Sequence, residues 1–370
     1  MRTRARGPPT TTGSAGADTA MRHVLFGDGE SPHLLKWARA LAGVEGIELW
    51  AASSRGFAPG FETVLPPERR LALGTAPDAA GGNAALLLHL PRLARWLGGI
   101  GADWLHAHYL SSHGVMAWLA QKLFGVGGRL VGSAWGSDIL VTPQRSATMR
   151  WLTRRVLAGC TLTTSDSQVM AARMRELGAR EVMVFPFGLE TMPPRPAAKD
   201  DALVFANRGL EPVYAPARVL DVLAHWPLPG VQGAVANDGS LRVALEAAAP
   251  PNVRFLGRLD AVTQAGWYAR ARWYLSLPES DSIAVSVLEA MAHGCIPVLS
   301  DLPANRELVR SGDNGLLVPA GERPTADALR ALLARGDAVA AANRDWIERH
   351  ALFGPCVERF VARLAELGAA

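Results

Sequence analysis

The sequence predicts an α/β protein with two doubly wound parallel sheets. Short runs rich in β-branched and aromatic residues alternate with helical stretches, a pattern typical of parallel sheets with crossover helices. A proline-rich stretch, residues 192–199, separates this alternation into two series. The 370 residues are enough for two such domains. A ligand crevice is expected between them, at the carboxyl ends of the strands.

The first series predicts a domain at residues 21–195, preceded by a disordered extension at residues 1–20. Its predicted strands are residues 23–26, 47–50, 104–108, 129–133, 161–164 and 182–185. A helix is predicted at residues 34–41. Residues 57–85, with Pro, Gly and few long apolar runs, are expected to form a flexible loop at the cleft mouth.

The second series predicts a domain at residues 200–345. Its predicted strands are residues 203–205, 231–235, 253–255, 273–276 and 296–299. One long final helix is predicted at residues 341–368. The two series share an architecture, and no tandem repeat of fixed period is visible.

The composition excludes several classes of protein. A content of 49% hydrophobic and 19% charged residues is too mixed for a disordered chain. No apolar run approaches the roughly 20 residues of a transmembrane helix. The first twenty residues lack the apolar core of a secretory signal. The three cysteines have no metal-ligand spacing, so we expect neither disulfide nor zinc, and a reducing cytoplasm fits.

The net charge of +4 raises the question of an anionic partner. No Arg-rich or Lys-rich arm and no aromatic binding signature is visible, so nucleic acid is excluded. Residues 144–157, as a helix, set Trp151 and neighbouring apolar residues beside several arginines. Such a helix is compatible with an anionic membrane surface. An ordinary amphipathic helix packed on the core is the preferred interpretation.

The most informative segment is residues 278–301, in which two carboxylates bracket a loop that leads into a helix. Asp281 belongs to the loop, and Glu289 belongs to the early turns of the helix. A helix N-terminus binds anions, so the backbone N–H groups of Ser282, Ile283 and Ala284 are placed to hold a diphosphate. An ionised Glu289 can only accept, which suits two ribose hydroxyls. The alternative is that Glu289 merely solvates the helix.

This segment resembles the C-terminal signature of family 4 glycosyltransferases, retaining enzymes of the GT-B architecture. The signature has a Glu, a Gly-aromatic-Gly loop and a Leu-Glu-Ala-Met-Ala helix. Here Asp281 stands at the first Glu, and Ser282, Ile283 and Ala284 stand at the loop positions. The resemblance implies an N-terminal acceptor domain, a C-terminal donor domain and a final helix, residues 346–370, that crosses back to the first domain.

Landmarks in the first half extend the resemblance. Gly27 and Gly29 follow the first strand and allow close approach of the backbone to donor phosphate or acceptor. By resemblance, His108, at the end of a strand, contacts the transferred sugar and the reacting centre. Asp138 contacts the substrate or fixes the loop that faces His108. The remaining histidines of interest, His106, His113 and His293, are expected to be structural.

Landmarks in the second half complete it. Arg208 stands where the family's Arg grips the donor diphosphate, and its fork suits phosphate. Many relatives follow this Arg with a Lys, but here Glu211, Pro212 and Tyr214 occupy that stretch. Residues 303–309 and 313–319 match the rest of the pattern, and Asn305 and Glu307 are expected to brace the loop. The resemblance covers residues 22–320.

The resemblance implies transfer of a sugar from a nucleotide sugar to a saccharide hydroxyl, with retention and without a metal or other cofactor. Asp281 would hold sugar hydroxyls and Arg208 the diphosphate. Relatives commonly extend lipid-linked saccharides for lipopolysaccharide, capsule or exopolysaccharide, so the protein is expected in the cytoplasm or on the inner face of the membrane. Two alternatives remain open: a nucleotide-sugar epimerase or hydrolase, and a degenerate scaffold subunit of an assembly complex.

Overall fold

The computed structural model describes residues 20–75, 84–196 and 198–369. The predicted extension at residues 1–20 therefore lies outside the described residues, except for Ala20. The first half of the described chain contains β1 (Met21–Gly27), α1 (Pro32–Ala42), β2 (Ile47–Ser53), β3 (Arg70–Ala72), α2 (Ala84–Leu87), α3 (Leu90–Ile100), β4 (Trp104–His108), α4 (Val115–Phe124), β5 (Arg129–Ser133), α5 (Ser137–Leu140), α6 (Thr142–Arg145), α7 (Ala147–Gly159), β6 (Leu162–Ser165), α8 (Gln168–Glu176) and β7 (Val182–Val184).

The second half contains six strands and eight helices among the described residues. They are β8 (Asp200–Ala206), α9 (Pro216–Ala224), β9 (Gln232–Ala236), α10 (Arg242–Ala247), β10 (Val253–Gly257), α11 (Ala261–Arg270), β11 (Ala271–Ser276), α12 (Val285–Ala292), β12 (Ile296–Ser300), α13 (Asn305–Leu308), β13 (Leu316–Val318), α14 (Ala326–Leu333), α15 (Gly336–His350) and α16 (Phe353–Ala369).

Both sheets are entirely parallel and doubly wound, which confirms the predicted fold class. The seven-stranded sheet has the order β3-β2-β1-β4-β5-β6-β7, and the six-stranded sheet has the order β10-β9-β8-β11-β12-β13. The winding reverses between β1 and β4 and between β8 and β11. Side chains that follow these four strands therefore border a crevice, where ligands bind in open α/β sheets.

Burial explains why the central strands could be recognised in the sequence. Every residue of β4, β11 and β12 is buried, because helices cover both faces of each sheet. Such strands appear as continuous apolar runs. The three-residue edge strands β3 and β13 lack this signal and were not predicted.

The stretch 57–85 is more ordered than expected as far as the structure describes it. Residues 59–63 and 67–69 form 3₁₀ turns, and β3 pairs with β2. The backbone N–H groups of Leu73 and Thr75 donate to Ser53 and Ser54, at 2.9 and 2.8 Å. The prediction of a flexible loop was therefore wrong for residues 57–75. Its remainder at 76–83 lies outside the described residues.

Two predicted helices are each divided in the structure. The helix expected at 144–157 is α6 followed by α7, because Ser146 is extended and its side chain accepts from the Met149 N–H at 3.1 Å as an N-cap. The helix expected at 341–368 is α15 followed by α16. Leu352 between them forms a β-bridge with Leu189, which takes it out of helical geometry.

The chain passes between the two sheets twice, and the two passages lie side by side. The Leu189 N–H donates to the Ala351 carbonyl at 2.9 Å, and the Phe353 N–H donates to the Leu189 carbonyl at 2.8 Å. A Cβ at Gly188 would lie 1.8 Å from the Ala351 oxygen, so only glycine fits there. This double passage joins the two halves.

The final helix packs against the first sheet's helix layer. Phe353 and Phe360 of α16 place their rings 5.0 and 5.3 Å from the ring of Trp37 in α1. Both are fully buried. The apolar stripe of α16 thereby completes the core of the N-terminal half. No helix among the described residues has both the length and the hydropathy to cross a bilayer.

Candidate active site

The strand ends of the two sheets face each other across a cleft. Gly27 ends β1, His108 ends β4, and Arg208 lies two residues after β8. From the second half, the Ser282 hydroxyl donates to Asp166, which follows β6 in the first half, and lies 2.7 Å from the Ser167 hydroxyl. The fold thus brings the two halves into contact at the loop that the sequence had marked as the donor site.

Asp281 and Arg208 form an ion pair in this cleft. An Arg208 Nη2–H donates to Asp281 Oδ2 at 2.7 Å, and the side chains are only 17% and 18% exposed. Burial raises the pKa of Asp281, and the Arg208 charge opposes that rise. The guanidinium also lies 4.5 Å from the ring centre of Tyr214. Tyr214, in the stretch where the resemblance leads one to expect a Lys, therefore holds Arg208 by a cation–π contact.

The loop before α12 is less open to an anion than the sequence implied. The Ser282 N–H already donates to its neighbour Asp281 Oδ1 at 3.0 Å. Ser282, Ile283 and Ala284 are 2%, 7% and 8% exposed. The Ser282 N–H, one of the three groups predicted to hold a diphosphate, is thus bound by a carboxylate of its own loop in this structure. Among the described side chains, none caps α12.

Glu289 faces a cavity on the next turn of α12. Its Oε2 accepts a hydrogen bond from the Tyr268 hydroxyl at 3.2 Å. Burial raises the pKa of the Glu289 carboxyl, and the Tyr268 bond and the charge of Lys36 oppose that rise. Glu289 is therefore tied to α11 on one side, with a second carboxylate oxygen remaining for a ligand.

A chain of hydrogen bonds connects Arg208 with Glu289, and its inner members were not predicted. An Arg208 Nη1–H donates to Ser286 Oγ at 3.2 Å. Tyr274 lies 2.9 Å from Ser286 Oγ and donates to Asn207 Oδ1 at 2.8 Å. Because the Tyr274 hydroxyl has one proton, Ser286 must donate to Tyr274.

The second half of this chain continues in the same direction. An Asn207 Nδ2–H donates to the Tyr268 hydroxyl at 2.7 Å, and the single proton of that hydroxyl is shared between Glu289 Oε2 and the Ser286 carbonyl oxygen, both at 3.2 Å. Tyr268 and Tyr274 are fully buried. Each group donates toward Glu289, so the chain favours a positive Arg208 at one end and an ionised Glu289 at the other. The proposed diphosphate and ribose contacts thus share one scaffold.

His108 presents a single uncommitted donor. The Trp135 Nε1–H donates to His108 Nδ1 at 3.2 Å, which places the imidazole proton on Nε2. His108 Nε2 is buried without a partner among the described residues. Burial holds the pKa of His108 well below its usual value, so the ring is neutral. The ring can donate one hydrogen bond to a hydroxyl or phosphate without titrating.

The other predicted histidines are bound within the protein. His106 contacts Ser133 Oγ through Nε2 at 2.6 Å, and His113 contacts the His108 carbonyl through Nδ1 at 2.8 Å. His293 contacts the Glu289 carbonyl at 2.8 Å. These bonds are local and structural. Across the described residues, no group of three His, Cys, Asp or Glu side chains is placed to hold a metal ion.

Asp138 braces the loops on either side of His108. Its Oδ1 accepts from the Trp135 N–H at 2.9 Å, and its Oδ2 accepts from the Leu110 N–H at 2.8 Å. Burial raises the pKa of Asp138, and these N–H groups oppose the rise. Of the two roles considered for Asp138, this geometry supports the structural one.

Packing accounts for both predicted glycines. A Cβ on Gly29 would lie 2.5 Å from the Gly56 carbonyl oxygen, so the space beside Gly29 is occupied by the protein itself. A Cβ on Gly27 would lie 2.8 Å from Leu34 Cδ1 and 3.3 Å from the Cβ of His108. Gly27 therefore packs on α1 and also borders the reacting centre predicted at His108.

A cavity of about 320 Å³ lies next to Glu289, between α1, the Gly188 passage, α11 and α12. Its size falls within the range of small-molecule sites. Its ionisable and polar side chains are those of Lys36, Glu190, Thr191, Gln264, Tyr268, Glu289 and His293.

Comparisons with known proteins agree with this geometry. A family model described as a glycosyl transferase 4-like domain matches residues 28–188, and one described as glycosyl transferases group 1 matches residues 222–335. A phosphatidyl-myo-inositol mannosyltransferase from Mycobacterium leprae is 42% identical over 85 residues, 22% of this chain. The chain spans only 22% of the length of that curated relative.

Solved structures share the fold over nearly the whole chain. Anabaena HepE, solved with UDP and glucose, has a TM-score of 0.74 at 17% identity and covers 94% of this chain and 100% of its own. Sucrose-phosphate synthase from Thermosynechococcus elongatus has a TM-score of 0.72 at 14% identity, over 94% and 99%. The lipopolysaccharide outer core galactosyltransferase WaaB has 0.61 at 14%, over 93% and 99%.

Proposed function

This chain belongs to the group 1, family 4 glycosyl transferases, and from that premise we propose that it moves a sugar from a nucleoside diphosphate sugar to a hydroxyl of a saccharide acceptor. The observation that carries the proposal is the row of groups along α12. Arg208 and Asp281 lie at its N-terminal end, and Glu289 lies one turn on, beside a cavity of about 320 Å³. The His108 donor lies on the opposite sheet.

The proposed roles follow the row. Arg208 and the N-terminus of α12 bind the diphosphate. Their positive charge stabilises the nucleoside diphosphate as it leaves the sugar. Asp281 accepts from sugar hydroxyls, and Glu289 accepts from the ribose diol. Gly27 lets the backbone approach the substrate, and His108 donates to the sugar. Because Arg208 and the helix end supply the neutralising charge, the proposed reaction needs no divalent cation.

We propose that the anomeric configuration is retained by attack on the front face. The bond between the anomeric carbon and the leaving phosphate oxygen breaks, and a bond to the acceptor oxygen forms on the same face. The acceptor hydroxyl proton passes to the departing phosphate oxygen. The transition state resembles an oxocarbenium ion, so Asp281 stabilises it by charge as well as by hydrogen bonds.

The ion pair between Arg208 and Asp281 must rearrange when the donor binds. The diphosphate of the donor accepts hydrogen bonds from Arg208 in place of Asp281. Sugar hydroxyls then donate to Asp281 in place of Arg208. Ser282 and Ala284 carry side chains where relatives have glycine. Because the Ser282 N–H donates to Asp281, the N–H groups available to phosphate are those of Ile283 and Ala284. The amide of Ser282 becomes available only when Asp281 turns toward the sugar.

Donor binding is tested by thermal shift with UDP-, GDP- and dTDP-sugars. A ligand that binds only the folded protein raises its melting temperature. We expect one nucleotide series to raise it by several degrees, and Glu289→Ala to remove the shift. Glu45→Ala, which removes an exposed carboxylate from the turn between α1 and β2, is the control variant. The absence of any shift would favour a degenerate scaffold, to which the missing Lys also points.

The acceptor is proposed to be lipid-linked, with the enzyme at the inner face of the cell membrane in surface polysaccharide synthesis. The supporting feature is a patch on α4 and α7, defined by Leu123, Phe124, Trp151, Arg154 and Arg155. Leu123 is 67% exposed and Trp151 49%, and the guanidinium of Arg155 lies 5.3 Å from the Trp151 ring. Cationic and aromatic groups together suit an anionic membrane interface.

Vesicle flotation tests the membrane proposal. The protein should float with vesicles that contain phosphatidylglycerol and not with phosphatidylcholine alone. Trp151→Ala combined with Arg154→Glu should abolish flotation, while Val262→Ala, at an apolar site of the other half that is 84% exposed, should not. Equal flotation of all three proteins would refute the patch.

A product assay with a free saccharide separates a transferase from an epimerase or hydrolase, which consumes donor without acceptor.

A further inference from the structure

Lys36 is a buried lysine that no motif marks. It lies in the middle of α1 with 7% exposure, and lines the cavity beside Glu289. Lysine is rarely buried unless it is paired with an acid. In the part of the chain that the structure describes, Lys36 forms no ion pair within 4 Å. A charge in this position calls for an explanation.

Two of its three donors are committed. Lys36 Nζ donates to the carbonyls of Phe187 and Gly188, at 2.6 and 2.7 Å, which belong to the passage between the two halves. An ammonium has three N–H donors. Lys36 Nζ also lies 4.8 Å from the centre of the Phe353 ring. The described residues place no third hydrogen-bond acceptor on Nζ, so one N–H donor remains available to the cavity.

The electrostatic surroundings favour the charged form despite burial. Desolvation lowers the pKa of Lys36 to about 8, and the charges of Glu289 and Glu190 oppose that change. Glu289 and Lys36 therefore present opposite charges to the same cavity, one from each half of the protein. A ligand between them meets acceptors on one side and a donor on the other.

We propose that Lys36 is a donor-binding residue that hydrogen-bonds a ribose oxygen of the nucleotide from the side opposite Glu289. A ribose diol has protons to give to a carboxylate and lone pairs to accept from an ammonium, so the two residues suit one diol. This inference rests on the proposed function and assigns a substrate contact to the N-terminal half.

The position along α1 selects ribose rather than diphosphate. His33, one turn before Lys36, is the α1 residue whose pKa the Arg208 charge affects. Arg208 contacts Ser286 near the start of α12, and Glu289 follows one turn later. The first turn of α1, which carries His33, therefore lies opposite the phosphate end of α12. The next turn of α1, which carries Lys36, lies opposite the ribose end.

Calorimetry with dissected ligands tests the assignment. The probes are UDP, UMP and inorganic pyrophosphate, or the GDP set if guanine nucleotides bind in the thermal shift. Lys36→Met should weaken UDP and UMP about tenfold and leave pyrophosphate unchanged, since a charge-assisted hydrogen bond is lost. Arg208→Ala should weaken UDP and pyrophosphate. Lys122→Met, on an exposed lysine of α4, should change nothing.

The outcomes separate the possible failures. Unchanged UDP affinity in Lys36→Met, or an equal loss for pyrophosphate, would overturn the proposal and leave Lys36 as a tether of the Phe187 and Gly188 carbonyls. If no nucleotide binds the wild type, the proposed function itself fails.

A pH titration serves if Lys36→Met does not fold. Wild-type affinity for UDP should fall as pH rises through about 8, because the ammonium loses its charge there. The groups that face Lys36 are Glu289, Glu190, His33, Tyr268 and His293. Burial lowers the pKa of His33 to about 4 and that of His293 below its usual value, whereas it raises the pKa of Glu289 and raises that of Tyr268 well above its usual value. A flat profile from pH 7 to 9 would contradict the assignment.

Discussion

Asp281 and Arg208 bind each other in a cleft where each is proposed to bind a different part of the donor. Their pair is mostly buried, yet both side chains keep about a sixth of their surface exposed. In a mostly buried pair the attraction between the two charges is largely offset by the loss of their hydration, so its net contribution to stability is small. It can therefore be exchanged for ligand contacts, and it keeps both groups ionised until then.

Removal of the Asp281 charge should separate nucleotide binding from sugar binding. In Asp281→Asn, Arg208 has no anionic partner, so UDP affinity should rise about threefold. UDP-sugar turnover should fall at least about 100-fold, because the charge that stabilises the transition state is lost. Calorimetry and a product assay measure the two effects. Glu279→Gln, on an exposed acid of the same loop, is the control, and weaker UDP binding in Asp281→Asn would contradict the exchange.

The donor loop and α8 form a clamp between the two halves of the molecule. The Ser282 hydroxyl contacts Asp166 and Ser167, as described above. Glu307 of α13 accepts from two N–H groups of the first turn of α8, both at 2.8 Å. A carboxylate at a helix N-terminus is favourable. The predicted bracing role of Glu307 thus takes the form of a contact between halves.

The clamp should weaken as pH rises. Burial raises the pKa of Asp166 to about 7 in the clamped arrangement, with Asp281 adding to the rise and Ser282 opposing it. In an opened cleft the carboxyl is hydrated and its pKa is ordinary, so the clamped form binds the additional proton. Its stabilising effect is complete below the ordinary pKa and is lost as pH rises through about 7.

Small-angle scattering at pH 6 and pH 8 tests the clamp. The radius of gyration should be larger at pH 8 in the wild type, because the cleft opens. Asp166→Asn keeps a hydrogen-bond partner for Ser282 but cannot ionise, so its radius should not change with pH. Arg323→Gln, on an exposed surface of the second half, should behave like the wild type. An equal pH response in Asp166→Asn would rule out this carboxyl as the cause.

The sequence predicts elements best where burial is continuous. Strands β4 and β5 were predicted with their observed ends, because helices cover both faces of these strands and nearly all of their residues are buried. Short edge strands depend on pairing with a neighbouring strand, and a break in a helix at a single residue such as Ser146 depends on capping. The periodicity of apolar residues in the sequence detects neither. The site shows the same limit. Sequence motifs mark four residues of the site: Asp281, Glu289, Arg208 and His108. No motif predicts the hydrogen bond between Asn207 and Tyr268, because only the fold brings these two residues together.

At the scale of the molecule, the two halves differ in how they hold histidine. In the first half, His23, His106, His108 and His113 are all buried, and they lie in or beside β1 and β4. His23 Nε2 contacts His106 Nδ1 at 3.2 Å. In the second half, His225 is exposed, and His293 is partly buried with its pKa lowered by burial. The first sheet holds more buried neutral imidazoles and is therefore more sensitive to acid than the second.

The N-terminal half should therefore unfold first under acid. Burial lowers the folded-state pKa of His23 to about 3 and that of His113 to about 4, from 6.5 in the unfolded chain. The unfolded chain binds more protons below pH 6.5, so stability is complete above that pH and falls toward pH 4. At pH 5.5 each such histidine costs about 1.4 kcal/mol.

Calorimetry should show one melting transition at pH 7.5 and two at pH 5.5, the earlier from the N-terminal half. His113→Gln can keep a hydrogen bond to Ser54 and cannot take up a proton, so its stability should fall less between these pH values, by about 1.4 kcal/mol. His225→Gln, at an exposed histidine of the second half, should keep the full loss. Equal losses in the two variants would mean that groups other than the buried histidines govern acid unfolding.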